Sequence, residues 1–315
     1  MTTMEFACDR VDDSTLARAA QWLEEHGRAP LASWLLVDAA LVDGARLSSL
    51  SKTAGFAWVN SLERSSLAVF GDRAPRLLTV RDAGHAPELL QSLTLPDRTA
   101  PAFSFFTSAA PTSELQDLFG YLALPEVEGG LELHCRFADT RVFPSLLRTL
   151  SPAQARRVGS LIDEWRWFGR TNNIERWGAS TNAMARDADS PESMPRIGLS
   201  NQQFASILDA GEADLVFSSL VDKTPEVVPK KHRGQFHSVL QTHLDSATRR
   251  FVVQPPDRLQ FVVLCLTCGE QFDRHPDLEP TWKSVRESKA SLVALMKTWS
   301  DQLWHELEGL AEPAR

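Results

Sequence analysis

What the 315-residue chain lacks narrows its function first. No stretch reaches ~18 apolar residues, so no transmembrane helix is expected. The N-terminus, Met1 to Asp9, has no basic region followed by an apolar run, so no signal peptide is expected either. Cysteine is scarce: Cys8, Cys135, Cys265 and Cys268 make no disulfide framework, which points to a reduced, cytoplasmic protein with free thiols. Positive charge is in deficit, with 33 Lys and Arg against 41 Asp and Glu and a formal net charge of −8. That balance opposes non-specific binding to nucleic acid or to an anionic membrane, so neither partner is expected.

Catalytic signatures are absent as well. The chain has no Gly-x-Ser-x-Gly elbow, no phosphate-binding GxxxxGK[ST] loop, no GxGxxG and no HExxH. Its 8 histidines are dispersed, without a ligand pattern. These gaps lead to the expectation of a protein that is not an enzyme, with no catalytic residue, no cofactor and no metal.

What is present is an ordinary globular composition, 43% hydrophobic and 23% charged. At roughly 150 residues per domain the length suits two domains. Asp13-Ser14 opens an amphipathic helix carrying Leu16, Ala19, Ala20 and Leu23, with Gly27 able to end it. Trp34 to Val37, Arg76 to Val80 and Ala102 to Thr107 read as buried strands. Leu131 to Phe137 alternates like a half-exposed strand. Ser151-Pro152-Ala153-Gln154 is a capping box for a helix running towards Trp167, and Ser200 to Gln203 repeats the box for a helix that should stop near Gly211. Arg233 to Phe251 reads as a further helix. From Val285 to Leu310, apolar residues recur at spacings of 3, 4 and 7, which predicts one helix of roughly seven turns. The expected fold is therefore α+β or α/β. Residues 1–170 would form an N-terminal α/β lobe with a small, mostly buried sheet, residues 171–198 a loop or linker, and residues 199–315 an all-helical lobe.

Three local features invite chemistry. Cys265-Leu-Thr-Cys268 can be a redox pair or half a zinc site, yet no second CxxC exists, and two buried helical thiols explain it better. Lys230 to Arg233 is a short basic cluster, too short to carry nucleic-acid binding. Trp165, Trp167 and Phe168 are large contact residues with a candidate role in partner binding. Spacing by two bars both tryptophans from one face of a straight helix.

A family resemblance rests on three stretches. Cys135-Arg136-Phe137-Ala138-Asp139-Thr140-Arg141-Val142-Phe143, followed by Leu146 to Gln154, resembles the signature of the bacterial family called domain of unknown function 4123. That family usually shows Phe-Arg-Phe-Tyr-Asp-Pro-Arg-Val and then a Thr-Leu-Ser-Pro-x-Gln junction. Trp34 to Leu41, with Asp38, is similar to its opening strand, and Gly269 to Pro276 to a later segment. Ala138 stands where the family often has Tyr, and Thr140 where it often has Pro. Asp38, Arg136, Phe137, Asp139 and Arg141 are then structural motif residues, with Asp139 flanked by arginines that can pair with it. The resemblance implies an adaptor chaperone of type VI secretion. Such a protein binds a cognate effector in the cytoplasm and loads it onto the VgrG-type spike, so its partners would be that effector and that spike. Other readings are an enzyme with an unrecognised site, either a CxxC-dependent oxidoreductase or a hydrolase, and a zinc-binding structural module.

Overall fold

A computed structural model of the chain describes residues 5–26, 31–42, 44, 46–49, 57–80, 86–94, 101–178 and 196–310. It divides into two compact units: Cys8–Gly211, and Met1–Ala7 together with Glu212–Arg315. The sequence expectation at Gly27 lies outside the described residues, as does most of the expected linker.

The first unit is built on a six-stranded sheet in the order β2-β3-β1-β4-β7-β8, with every neighbouring pair antiparallel. The strands are β1 (Ala32–Val37), β2 (Val59–Asn60), β3 (Arg76–Val80), β4 (Phe103–Ser108), β7 (Glu164–Phe168) and β8 (Ile174–Gly178). Side chains alternate across a strand. Leu35 and Val37 of β1 therefore join one cluster with Leu78, Phe103 and Phe105. That cluster takes its cover from α1 (Asp13–His26) and α2 (Ala86–Thr94). Trp34 and Leu36 join the other face with Phe106, Trp165 and Trp167. Helices α3 (Thr112–Ala123), α4 (Phe143–Thr149) and α5 (Pro152–Leu161) cover that side. Burial on both faces explains why β1 and β4 read as continuous apolar runs although the sheet is antiparallel.

Local chemistry sets the helix starts. Asp12 accepts the Thr15 N–H at 2.7 Å and so caps α1, and this bond leads those that hold its carboxyl well below the usual range. Both capping boxes form. Ser151 Oγ accepts from Gln154 N–H and Gln154 Oε1 from Ser151 N–H. Ser200 and Gln203 repeat this at the start of α6 (Asn201–Lys223). The two glutamines then meet: Gln203 Nε2 donates to Gln154 Oε1 at 3.0 Å and to the Thr149 carbonyl at 2.6 Å. A small sheet, β6-β5-β9, lies beside them, made of β5 (Glu126–Val127), β6 (Leu131–Glu132) and β9 (Gly198–Leu199). The β5–β6 turn uses Gly129 and Gly130 at φ of 96° and 84°, where a side chain would be strained.

The second unit is helical: the rest of α6, then α7 (Arg233–Arg249), α8 (Pro255–Cys268), α9 (Glu279–Arg286), α10 (Leu292–Met296) and α11 (Asp301–Glu308). Val216, Phe217 and Leu220 pack on Leu240, Leu244 and Val262. Phe261, Phe272 and Trp282 centre a second cluster with Leu292, Leu303 and Leu307. The fold is α+β, an antiparallel sheet with helices followed by a helical region. No helix among the described residues is long and apolar enough to cross a membrane.

Four expectations are corrected. Helix α5 ends at Leu161, because Asp163 N–H donates to the Thr107 carbonyl and starts the pairing of β7 with β4. Residues 174–178 are strand β8, not loop, because they pair with β7. Helix α6 passes Gly211 and continues to Lys223, since Ala213, Val216, Phe217 and Leu220 carry an apolar stripe beyond it. The expected seven-turn helix is three helices. Ser288 sits at φ 53°, and Ser291 and Ser300 start new helices by accepting from Ala294 and Leu303 N–H. Buried Asp257 accepts the Leu292 and Val293 N–H groups at 2.9 and 3.0 Å, capping α10 from another helix. Replacing Asp257 by Ala leaves both donors unpaired. We expect a loss of about 2–3 kcal/mol, read by urea unfolding; a change within about 0.5 kcal/mol would show the carboxylate to be dispensable.

Candidate functional site

Where β1 leaves the sheet, the chain turns through Asp38. Its N–H donates to the Ala102 carbonyl at 2.7 Å, and its Oδ1 accepts the Ala40 N–H at 2.9 Å. The other carboxylate oxygen accepts Arg136 Nη2 at 2.7 Å. Arg136 reaches Asp38 from an irregular segment that enters the core at Phe137, whose ring stacks on Phe119 at 5.4 Å. The same Nη2 lies 3.9 Å from Asp139 Oδ2.

Asp139 is held more fully. Its Oδ1 accepts the backbone N–H and Nε of Arg141, each at 3.0 Å, and its Oδ2 accepts Arg141 Nη2 at 2.6 Å. Its carbonyl accepts from Val142 and Phe143 N–H, which launches α4, and Pro144 lies in the first turn of that helix. Asp38 and Asp139 are 3% and 1% exposed, so each carboxylate needs the guanidinium beside it. Two anions and two cations balance. This is a charge clamp tying the exit of β1 to the start of α4.

The flanking groups are unsuited to catalysis as they stand. His134 rests its ring 5.0 Å from Phe70. Burial first, then the Arg136 charge, holds its imidazole below the ordinary value against a weaker pull from Asp38, which favours the neutral ring. Burial and the nearby Asp139 push the Cys135 thiol up to about 12, so no thiolate forms there at neutral pH.

The structure brings Asp38, Arg136, Phe137, Asp139 and Arg141 together. The proposed contact residues go elsewhere. Trp165 is fully buried and donates Nε1–H to Ser104 Oγ at 2.9 Å; Trp167 is 5% exposed and donates to Glu175 Oε2 at 3.2 Å. Both sit on one face of β7, inside the core, so a partner-contact role for them is corrected to packing. Phe168 points to the opposite face and meets Phe103 and Phe105 edge-on or tilted, half-buried. Cys265 and Cys268 lie buried on α8, and burial pushes the Cys265 thiol up to about 12 and the Cys268 thiol up as well.

Sequence reasoning did not single out one cluster, His275, Asp277 and Glu306, whose side-chain donor atoms lie within 4.8 Å of one another. His275 Nδ1 accepts the Asp277 N–H, which leaves the ring proton on Nε2, facing Glu306 at 3.2 Å. That is the geometry of a hydrogen-bonded His–Glu pair. Only the short spacing between His275 and Asp277 was visible in the sequence.

The molecule is an α+β scaffold with a buried charge clamp at the exit of β1. Residues 33–157 match the family model described as Domain of unknown function (DUF4123). No curated protein and no solved structure matches the chain. The matched stretch begins in β1, ends within α5 and encloses the whole clamp. The Gly269 to Pro276 stretch lies beyond it.

Two outcomes follow. Asp139→Ala removes the carboxylate that holds the Arg141 guanidinium and frees the turn into α4, at a cost of about 3 kcal/mol. Arg136→Ala costs less, about 1–2 kcal/mol, because that side chain is 41% exposed. Chemical denaturation of both variants checks the order, and a larger loss for Arg136→Ala would contradict it. For the thiols, iodoacetamide at about pH 8 should label Cys265 and Cys268 only after unfolding. Rapid labelling of the native protein, read by intact mass, would reopen thiol chemistry.

Proposed function

We propose that the protein is a cytoplasmic adaptor that binds a cognate type VI secretion effector and loads it onto the VgrG-type spike. The observation that carries this reading is the family match over residues 33–157, together with the motif residues it encloses. The chemistry around the motif supports a binding role rather than a reaction. Its two carboxylates are paired with its two guanidiniums, and burial pushes up the thiols of Cys135, Cys265 and Cys268. An adaptor needs surface complementarity and apolar burial, about 25 cal/mol per Å² offset by the cost of ordering the partners, and it needs no reactive group.

The test is a pull-down of the tagged chain from its native bacterium grown with the secretion system expressed, read by mass spectrometry. One large toxin-like protein, recovered with or without a spike protein, is the expected result. Its absence from such cells would reduce the family relation to a shared scaffold.

A further inference from the structure

The C-terminus of α7 ends in a way its sequence does not favour. Val252 N–H donates to the Ala247 carbonyl and Phe251 N–H to the Thr248 carbonyl, both at 3.0 Å. These are the two bonds of a Schellman motif, and Ala247 and Val252 supply its apolar contact in the core. The motif requires a left-handed residue at position 251, where glycine is the usual choice. Here the residue is Phe251, at φ 61°. Its side chain is 54% exposed, so it recovers little of that strain by burial. A bulky aromatic in this conformation, turned to solvent, is costly for the fold alone.

The surroundings give the ring a purpose. Val253, two residues on, is 68% exposed. Asp257 ties the first turn of α10, with Val293 exposed at 37%, to the first turn of α8 just after Val253. Arg286 lays its guanidinium 5.4 Å from the Phe251 ring centre, which holds the ring in place. The rim is cationic. Arg250, Arg258 and Lys289 pair with Asp273, Glu212 and Glu287. Arg249, Lys283 and Arg286 are exposed, and no carboxylate among the described residues pairs with them. In a chain of net charge −8 these three cations stand without a carboxylate partner among the described residues, with Arg286 over the exposed Phe251 ring.

We propose that Phe251, Val253 and Val293, rimmed by Arg249, Lys283 and Arg286, form the docking surface for an acidic amphipathic helix of a protein partner. The apolar face of that helix covers the three exposed side chains. Its carboxylates meet the three cations, which sets orientation and speeds encounter. Identifying the partner with the secreted client rests on the adaptor reading above; the surface itself does not.

The experiment uses the full chain and a fluorescein-labelled helical peptide with Glu on its polar face and Leu on the other, followed by anisotropy. A peptide with Lys in place of each Glu is the control. The acidic peptide is expected to bind at micromolar concentration, and the Lys peptide at least about tenfold more weakly. Phe251→Gly relieves the left-handed strain while removing the anchor. It should therefore weaken the acidic peptide about tenfold with a melting temperature equal to or above that of the parent. Arg286→Glu should weaken it by a similar factor and favour the Lys peptide. Equal binding of the two peptides, or unchanged binding in both variants, overturns the proposal. Capture of the native client by both variants at the level of the parent overturns the client as the occupant of this surface. If peptide binding behaves as expected while the parent captures no client, the surface stands and the adaptor reading falls.

Discussion

Two carboxylates buried at the end of a doubly covered sheet set the conditions for the N-terminal unit. Because β1 is packed on both faces, the chain leaving it at Val37 carries Asp38 into a site that is almost dry. An ion there has to be met by an opposite charge with good geometry. Arg136 supplies it from 98 residues away, and its position is fixed in turn by Phe137 on Phe119 and by Asp139 two residues further on. Arg141 then neutralises Asp139, and α4 begins with Phe143, whose ring lies 4.1 Å from that of Trp165. One electrostatic requirement thus locates a turn, an irregular segment, a helix start and the aromatic core beneath them. Such a network contributes little net stability once desolvation is counted, but its geometry tolerates only one arrangement.

The legible part of this fold was the part written locally. The capping boxes at Ser151 and Ser200, the apolar face of α1 and the runs in β1, β3 and β4 each depend on neighbours within a few residues. The Asp139–Arg141 pair was visible for the same reason. The Asp38–Arg136 bond was not, because no spacing rule relates residues so far apart.

Strand β7 shows how a correct observation can serve a wrong element. Spacing by two bars Trp165 and Trp167 from one helix face, yet it is the period that puts both on one strand face. What makes the segment a strand is its pairing with β4 on one side and β8 on the other, neither of which is encoded within the segment. The C-terminal stripe failed for the opposite reason. Its period was helical throughout, but Ser291, Ser300 and the distant Asp257 offer the backbone better caps than continuation does.

The clamp also constrains where recognition can reside. Its residues are committed to one another, and the aromatic residues around them are committed to the core, so changing any of them alters folding before it alters a surface. A signature of that kind defines a scaffold and leaves little freedom to select among partners. On the adaptor proposal, selectivity would come from residues the scaffold does not use. In the helical unit, buried Phe261, Phe272 and Trp282 anchor packing, whereas exposed Phe251 departs from the residue its backbone conformation favours. A side chain kept against local conformational preference, and not repaid by burial in its own fold, is accounted for most simply by what it meets outside that fold.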